Sequence, residues 1–84
     1  MDLETTRYFE NYFDLFLTEG WKQLQEDIKD NITQKKDLST INSEQELWGR
    51  KAEIQMLQRF LTFDDLIRNQ YDHLQEQNSL EDDD

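Results

Sequence analysis

Residues 37–47 read DLSTINSEQEL, and this stretch decides the fold because one helical pattern ends in it and the next begins. Residues 37–42 have no helical period and are rich in side chains that hydrogen-bond their own backbone, which is typical of a loop. Ser43 and Glu46 then match the S-x-x-E capping box, in which the serine accepts a hydrogen bond from the glutamate amide and the glutamate reaches back. The sequence therefore predicts a short loop followed by a helix that starts after Ser43.

The chain before this loop carries apolar residues at spacings of three and four, which predicts one face of a helix. The series is Phe9, Phe13, Leu17, Trp21, Leu24, Ile28 and Ile32. Gly20 is its weak point: either Thr18 caps a second helical segment, or one continuous helix absorbs about 1 kcal/mol for the glycine. We favour a bend or short break at this place.

The chain after the loop carries a second series of helical spacing, which continues to about Gln77. It consists of Leu47, Ile54, Leu57, Leu61, Phe63, Leu66, Ile67, Tyr71 and Leu74. Thr62, followed by Asp64 and Asp65, offers a second N-cap and predicts a kink or restart there. Glu46 and Arg50 are spaced for an i,i+4 ion pair.

Two long helical arms joined by a short loop predict antiparallel packing. Proline and valine are absent and glycine occurs only twice, which removes most helix breakers and a main strand former. We therefore expect an all-α protein, an antiparallel helical hairpin with arms that are each bent once. The hairpin forms a single domain over residues 1–77, and the acidic residues 78–84 form a disordered tail.

The composition predicts a thin core and a need for further burial. Only 35% of the 84 residues are apolar, against a usual ~45–50%. A two-helix hairpin covers its apolar stripe on one side only, so we expect homo-oligomerisation or docking on a protein partner to complete the burial. Without cysteine there is no disulfide framework and no thiolate metal site.

The charge is distributed unevenly along the chain. Of the net charge of -11, residues 1–20 carry -4 and residues 62–84 carry -7, while residues 21–61 are neutral. Antiparallel arms bring both acidic segments to one end, the acidic pole. Nucleic acid and anionic membranes would repel such a chain, so we expect neither as a direct partner.

No apolar run is long enough to span a bilayer. A signal peptide starts with basic residues, whereas this chain has Asp2 and Glu4 at that place, so we expect a cytoplasmic protein.

Aromatic residues are concentrated in the first arm. Six of the ten lie within the first 21 residues: Tyr8, Phe9, Tyr12, Phe13, Phe16 and Trp21. With their aliphatic neighbours they cover roughly 200° of a helical wheel, about twice the usual apolar stripe. Two interpretations are open, burial between the two arms or a protein interface with aromatic anchors. We favour the interface.

Trp48 and four basic residues flank the loop. Packing of Trp48 against the first arm near Ile28 or Ile32 is the simpler interpretation, and a place in the protein interface is the other; we include it among the candidate interface residues. The basic pairs are Lys35 with Lys36 and Arg50 with Lys51. A nucleic-acid role would require all four to converge on one face, which we do not expect.

His73, the only histidine, lies beside Asp72 and three residues before Glu76. A lone histidine among carboxylates on an exposed helix is usually a solvated residue. The chain has no nucleophile, phosphate-loop or zinc motif. We therefore expect no catalytic residues, no metal and no cofactor, and a protein that is not an enzyme.

The acidic residues of the second arm, Asp64, Asp65, Asp72 and Glu76, allow a second functional hypothesis. Carboxylates in rows on a helix can imitate the phosphates of a duplex and occupy the basic groove of a DNA- or RNA-processing enzyme. The alternative is that these charges only keep the protein in solution.

Two blocks of the chain resemble short acidic proteins of short-tailed, T7-like bacteriophages. They are residues 13–22, with Phe13-Asp14-Leu15-Phe16 and Gly20-Trp21-Lys22, and residues 47–54, with Leu47-Trp48-Gly49-Arg50-Lys51, followed by Leu57 and Leu61. Ala52 replaces a glycine of the family pattern, which bears on how closely two helices approach there. The resemblance implies a phage origin and a small non-enzymatic role in the host cytoplasm or, alternatively, in the virion, and it carries over no site residues.

Two functions remain open at this point. The first is an interaction or assembly protein that binds itself, a phage protein or a host protein through the aromatic surface. The second is an acidic inhibitor of a host nucleic-acid enzyme. Neutralising the carboxylates or truncating the aromatic residues would separate the two.

Overall fold

The computed structural model describes residues 1–82, with the side chains up to Asn78. All the secondary structure in this range is helical. The elements are α1 (Leu3–Phe16), α2 (Glu19–Lys35), a short 3-10 turn (Leu38–Thr40), α3 (Glu44–Leu61) and α4 (Phe63–Asp82). Over the described range the chain forms no strand. The prediction of an all-α fold is confirmed.

The helices form an antiparallel hairpin with two bent arms, as predicted. α2 packs along α3 next to the loop, and α1 packs along α4 at the other end. The result is a rod of 61 × 28 × 15 Å with a radius of gyration of 18.3 Å. A compact domain of this length would have a radius of gyration of about 12 Å. The hairpin therefore leaves an unusually large share of its side chains near solvent.

Thr18 produces the break in the first arm. Its hydroxyl donates to the carbonyl of Leu15, at 2.7 Å, and accepts from the amide of Trp21, at 3.1 Å. Its backbone is extended, with ψ at 151°. One side chain thus ends α1 and begins α2, and the favoured break is confirmed. Gly20 lies inside α2 with a negative φ, so the break does not depend on it.

Thr62 breaks the second arm in a different way. Its backbone stays close to helical, with φ -105° and ψ 9°, and its hydroxyl donates back to the carbonyl of Gln58 at 3.3 Å. The predicted restart of the helix is present, but the predicted N-cap by the Thr62 side chain is wrong. The hydroxyl points to the preceding turn because the chain never becomes extended there.

The loop is held by local hydrogen bonds. Ser43 Oγ accepts from the Glu46 amide at 3.1 Å, and Glu46 Oε2 accepts from the Asn42 amide at 2.7 Å, so the capping box is present with the glutamate reaching one residue further back. The predicted Glu46–Arg50 ion pair is absent. The Arg50 guanidinium instead donates to the Lys35 carbonyl at 3.1 Å and to the Thr40 hydroxyl at 2.8 Å, which ties α3 to the end of α2.

The core is thin and lies mainly between α1 and α4. Phe9, Phe16 and Ile67 are buried there, and Ile28 and Ile32 are buried on α2. Six partly buried residues surround the first cluster: Tyr12, Phe13, Trp21, Phe63, Tyr71 and Leu74. The hydrophobic stabilisation is therefore concentrated at the end of the rod that is most acidic.

α4 extends further than the sequence pattern predicts. The apolar period fades near Gln77, but the helix continues to Asp82, because residues 78–82 include no glycine or proline that would end it. Of the predicted disordered tail over 78–84, Asp83 and Asp84 lie outside the described residues, and disorder of the tail stays a prediction. Within residues 1–82, no helix combines the length and apolar character needed to cross a bilayer.

Candidate functional site

Phe9 and Phe16, two of the predicted interface residues, are part of the chain's own core. They are 3% and 6% exposed. The ring of Phe9 lies 5.4 Å from that of Tyr71, and the ring of Phe16 lies 6.0 Å from that of Phe63. As members of an exposed surface, these two residues were wrongly predicted. The arms bury them because α4 supplies large rings, which wrap further around α1 than aliphatic side chains would.

Tyr12, Phe13 and Trp21 lie at the edges of this core and are partly buried. Tyr12 packs edge-on against Phe63 with 5.2 Å between ring centres, and Phe13 packs against Tyr71 at the same distance. Trp21 begins α2 next to Phe16, at 5.0 Å. These three residues therefore keep part of their surface exposed to solvent.

Tyr8 remains about half exposed and lies at the border of the aromatic cluster. Its ring packs edge-on against the rings of Phe9 and Tyr12, at 5.3 and 5.2 Å. The neighbouring Tyr12 hydroxyl raises the pKa of Tyr8 above its ordinary value. Tyr8 is therefore held in place by one buried and one partly buried ring, while part of its own surface faces solvent.

Five large apolar side chains are exposed around two neighbouring grooves, and we call them together the apolar face. They are Tyr8, Leu15, Met56, Phe60 and Leu66, and each is 41–53% exposed. Tyr8 and Leu15 line a shallow groove of about 290 Å³ that includes Tyr12, and the other three line one of about 470 Å³ that includes Phe63. Since the rings of Tyr12 and Phe63 are in contact, the two grooves adjoin.

Sequence reasoning missed three members of the apolar face. Met56 and Phe60 fall outside the series through Leu57 and Leu61, and Leu66 is part of the same series as the buried Ile67. The signal was nevertheless present, because residues 56, 60 and 63 follow spacings of four and three and form a second stripe beside the first. A second stripe on one helix indicates a second surface to cover.

Trp48 is 60% exposed, so the interpretation that it packs against α2 is wrong. It lies about 100° around α3 from Leu47, which turns it away from α2. The ammonium of Lys51 lies 5.3 Å from the centre of its ring, in a cation–π contact. Trp48 does not join the apolar face.

The structure also brings the two basic pairs together, contrary to expectation. Lys35, Lys36, Arg50 and Lys51 line one open groove of about 370 Å³ near the loop, which we call the loop groove. Its apolar lining consists of Leu38, Ile41, Leu47 and Ile54. Among its lining residues there is no carboxylate, although the chain as a whole carries -11. An apolar floor between basic side chains suits an acidic amphipathic segment better than a sugar-phosphate backbone.

Two of the four basic residues already have partners. Lys35 Nζ lies 2.6 Å from Glu53 Oε2 at the edge of the groove, and this ion pair, with its hydrogen bond, lowers the pKa of Glu53. The Arg50 guanidinium donates hydrogen bonds to the carbonyl of Lys35, at the end of α2, and to the hydroxyl of Thr40. Among the described residues, Lys36 and Lys51 form no ion pair, so their charges are available at the rim.

The predicted acidic residues do not form one uniform surface. Asp65, Asp72 and Glu76 are exposed, and spacings of seven and four place them on one face of α4. Asp64 lies about 100° away around the helix. Its carboxylate is 3.2 Å from Arg68, which neutralises it locally.

His73 is exposed on α4, and its ring contacts the side-chain amide of Gln77 at 3.2 Å. Within the described part of the chain, no three histidine, cysteine or acidic side chains are grouped closely enough to hold a metal ion. No polar or charged residue is buried in that range either. The candidate sites are the apolar face, the loop groove and the exposed carboxylates of α4.

Comparison of the chain with protein-family models, with curated proteins and with solved structures finds no match.

Proposed function

We propose that this chain is a small non-enzymatic protein that binds another protein through its apolar face. The observation that carries the proposal is the exposure of Tyr8, Leu15, Met56, Phe60 and Leu66 around two grooves that the contact between Tyr12 and Phe63 links. Contiguous apolar surface of this kind, with a polar rim, is characteristic of protein interaction sites.

The layer beneath the apolar face supports this proposal. Tyr12 and Phe63 link the two grooves and are themselves held by Phe16, whose ring centre lies 6.1 and 6.0 Å from theirs. Side chains that are fixed before binding lose little conformational entropy when a partner arrives. The buried aromatic residues therefore act as the support of the binding surface, in place of the anchors that the sequence suggested.

We further propose, from the resemblance described above, that the protein is encoded by a short-tailed bacteriophage and acts in the host cytoplasm. A partner is then a phage or host protein with a complementary apolar surface. The acidic pole next to the apolar face would favour a partner with a basic rim around that surface.

The test places a photo-crosslinking amino acid at position 66 or 15 and, as controls, at the exposed acidic positions 10 and 72. We expect a discrete adduct from positions 66 and 15 in a host-cell lysate, and none from the controls. Its identity is then checked by mass spectrometry and by reconstitution with the purified partner.

Reconstituted binding separates the two hypotheses. A Leu15→Ser/Leu66→Ser variant should weaken binding at least about tenfold, since truncating the central anchor residues of an interface costs about 2 kcal/mol or more. An Asp65→Asn/Asp72→Asn/Glu76→Gln variant should leave it within about threefold at 0.15 M salt, where rim charges are screened. Unchanged binding in the leucine variant would rule out the apolar face.

The second candidate function, an acidic inhibitor of a nucleic-acid enzyme, is favoured by the row of Asp65, Asp72 and Glu76. It requires the reverse result: the triple neutralisation should abolish binding, and the leucine variant should retain it. If neither variant changes binding, both proposals fail.

A further inference from the structure

The loop groove has a chemistry that the proposed function does not use. Four cationic side chains line it and no carboxylate does, although the chain carries twenty acidic residues. Its apolar lining is open to solvent at the loop: Leu38 is 74% exposed. An occupant that fits this groove needs an apolar side chain followed by several carboxylates.

The sequence of this chain contains such a segment. Leu80 is followed by four consecutive acids, Glu81 to Asp84, at the end of the segment that carries -7. We propose that the loop groove binds the acidic segment 80–84 of a second copy of this chain. Leu80 would supply the apolar contact, and the carboxylates would pair with Lys36 and Lys51 at the rim.

The geometry directs this contact to a second copy. α4 begins beside the end of α3 and runs away from the groove over 20 residues, a rise of about 30 Å. The C-terminal end of α4 therefore lies at the opposite end of the rod from the groove of its own chain. It cannot fold back without unwinding α4, whose Tyr71 and Leu74 pack in the core.

Two rods lying side by side in opposite directions satisfy both contacts at once. Each groove then meets the acidic end of the other copy, which gives a closed, two-fold symmetric dimer. In this arrangement the acidic poles lie apart, and each faces the neutral half of its partner. Like-charge repulsion between chains of -11 is thereby reduced, and the groove provides local attraction.

The prediction is that the protein self-associates at low salt through these two elements. Sedimentation equilibrium at 50 mM salt should show a monomer–dimer equilibrium, weakened at least about tenfold at 500 mM salt because the contacts are screened. A Lys36→Glu/Lys51→Glu variant and a variant lacking residues 80–84 should each be monomeric. The matched control is Lys22→Glu/Lys29→Glu, which makes the same charge change on exposed α2 positions outside the groove and should weaken dimerisation by less than about threefold.

Complementation gives the sharpest readout. The Lys36→Glu/Lys51→Glu variant keeps the acidic segment, and the variant lacking residues 80–84 keeps the groove. Mixed together, the two should form a 1:1 complex with one contact, although each alone is monomeric. A fluorescent peptide of residues 76–84 should bind the shortened variant and show at least about tenfold weaker binding when Lys36 and Lys51 are also replaced.

Several outcomes would overturn the proposal. One is a wild-type protein that stays monomeric at low salt; another is a dimer that persists in both variants. A third is a dimer lost in the Leu15→Ser/Leu66→Ser variant but not in the groove variant, which would make the apolar face the contact between copies. Circular dichroism of each variant confirms that the helices are retained, so that loss of folding is not mistaken for loss of the contact.

Discussion

At the scale of single residues, position on the helix decides between core and surface more sharply than residue type. Ile67 and Leu66 are adjacent, but Ile67 is 3% exposed and Leu66 is 50% exposed. Ile67 belongs to the buried cluster that contains Phe9 and Phe16, whereas Leu66 belongs to the apolar face. The same contrast exists between the buried Phe9 and the exposed Tyr8.

We predict that Ile67→Ala lowers the free energy of unfolding by about 2–5 kcal/mol, because it leaves a cavity in a core that has few other members. A domain of this length has a total stability of only about 4–13 kcal/mol, so this loss is large. Leu66→Ala should change stability by less than about 1 kcal/mol. Urea denaturation followed by circular dichroism measures both, and equal losses would contradict the assignment of core and surface.

A second prediction at this scale concerns pH. The Lys35 ammonium holds the pKa of Glu53 below its ordinary value of 4.5, so this ion pair stabilises the fold while the carboxylate is charged. That contribution is complete above pH 4.5 and is lost as the pH falls through the lowered pKa. Glu53→Gln should therefore melt at a lower temperature than the wild type at pH 7, and the difference should shrink toward pH 3. Lys35→Gln should show the same trend; a difference independent of pH would exclude this role for the pair.

At the scale of elements, two threonines break the two arms by different means. Thr18 leaves the helical conformation and caps α2, whereas Thr62 stays nearly helical and bonds back to α3. The breaks nevertheless lie close together in the rod: Trp21, at the start of α2, and Phe63, at the start of α4, have ring centres 6.3 Å apart. The two arms therefore change direction at the same level of the rod. They stay packed against each other on both sides of the breaks, through α1 with α4 and through α2 with α3.

We predict that Thr18→Ala costs about 1 kcal/mol of stability, because the amide of Trp21 loses its side-chain acceptor. Thr62→Ala is the matched control and should cost less than about 0.5 kcal/mol, since the Thr62 side chain caps no helix. Equal losses in urea denaturation would show that the Thr18 cap does not hold the break.

At the scale of the whole molecule, charge and hydrophobic burial oppose each other at the same end. Residues 1–20 and 62–84, which carry -4 and -7, are the segments in which α1 pairs with α4. Their aromatic side chains hold the two helices together while the carboxylates on the outside repel. The loop end has neither the dense charge nor the large buried rings.

We predict that salt stabilises the monomer. Raising the ionic strength from 0.01 to 0.3 M shortens the Debye length from about 30 Å to below 10 Å, so repulsion at the acidic pole is screened. The melting temperature of the variant lacking residues 80–84, which we expect to be monomeric, should rise by a few degrees with salt. Asp72→Asn/Glu76→Gln should reduce this rise, and a melting temperature that falls with salt would contradict it.

The sequence predicted the local features of this fold better than its surfaces. Thr18 and Ser43 cap helices as expected, because a cap depends on residues within one turn of it. Thr62 has the same type of side chain, but a capping residue also needs an extended backbone, and the Thr62 backbone stays nearly helical. The next residue, Phe63, packs on Phe16 of the other arm. The spacing of residues along one helix does not predict such a contact between the arms.

The sites were harder to predict because burial depends on the partner helix. The width of the aromatic arc places Phe9 and Phe16 on a surface, because one neighbouring helix rarely covers so wide an arc, but Tyr71 packs on Phe9 and Phe63 packs on Phe16. The loop groove was missed for the same reason: Lys36 and Lys51 belong to different arms, and only the register of the hairpin places them together. Registers are set by contacts between distant residues, which spacing along one helix does not encode.

The position of the loop also has a consequence for the order of folding. Closing the contact between Arg50 and Lys35 joins residues 15 apart, whereas bringing Ile67 to Phe16 joins residues 51 apart. The longer closure costs about 1 kcal/mol more in chain entropy, which is less than the gain from burying one large side chain. The contacts between α2 and α3 next to the loop should therefore form first. The contacts between α1 and α4 at the acidic pole should form last and contribute most of the stability. Amide hydrogen exchange would then show late protection during refolding, but slow exchange in the native state, at one and the same end of the rod.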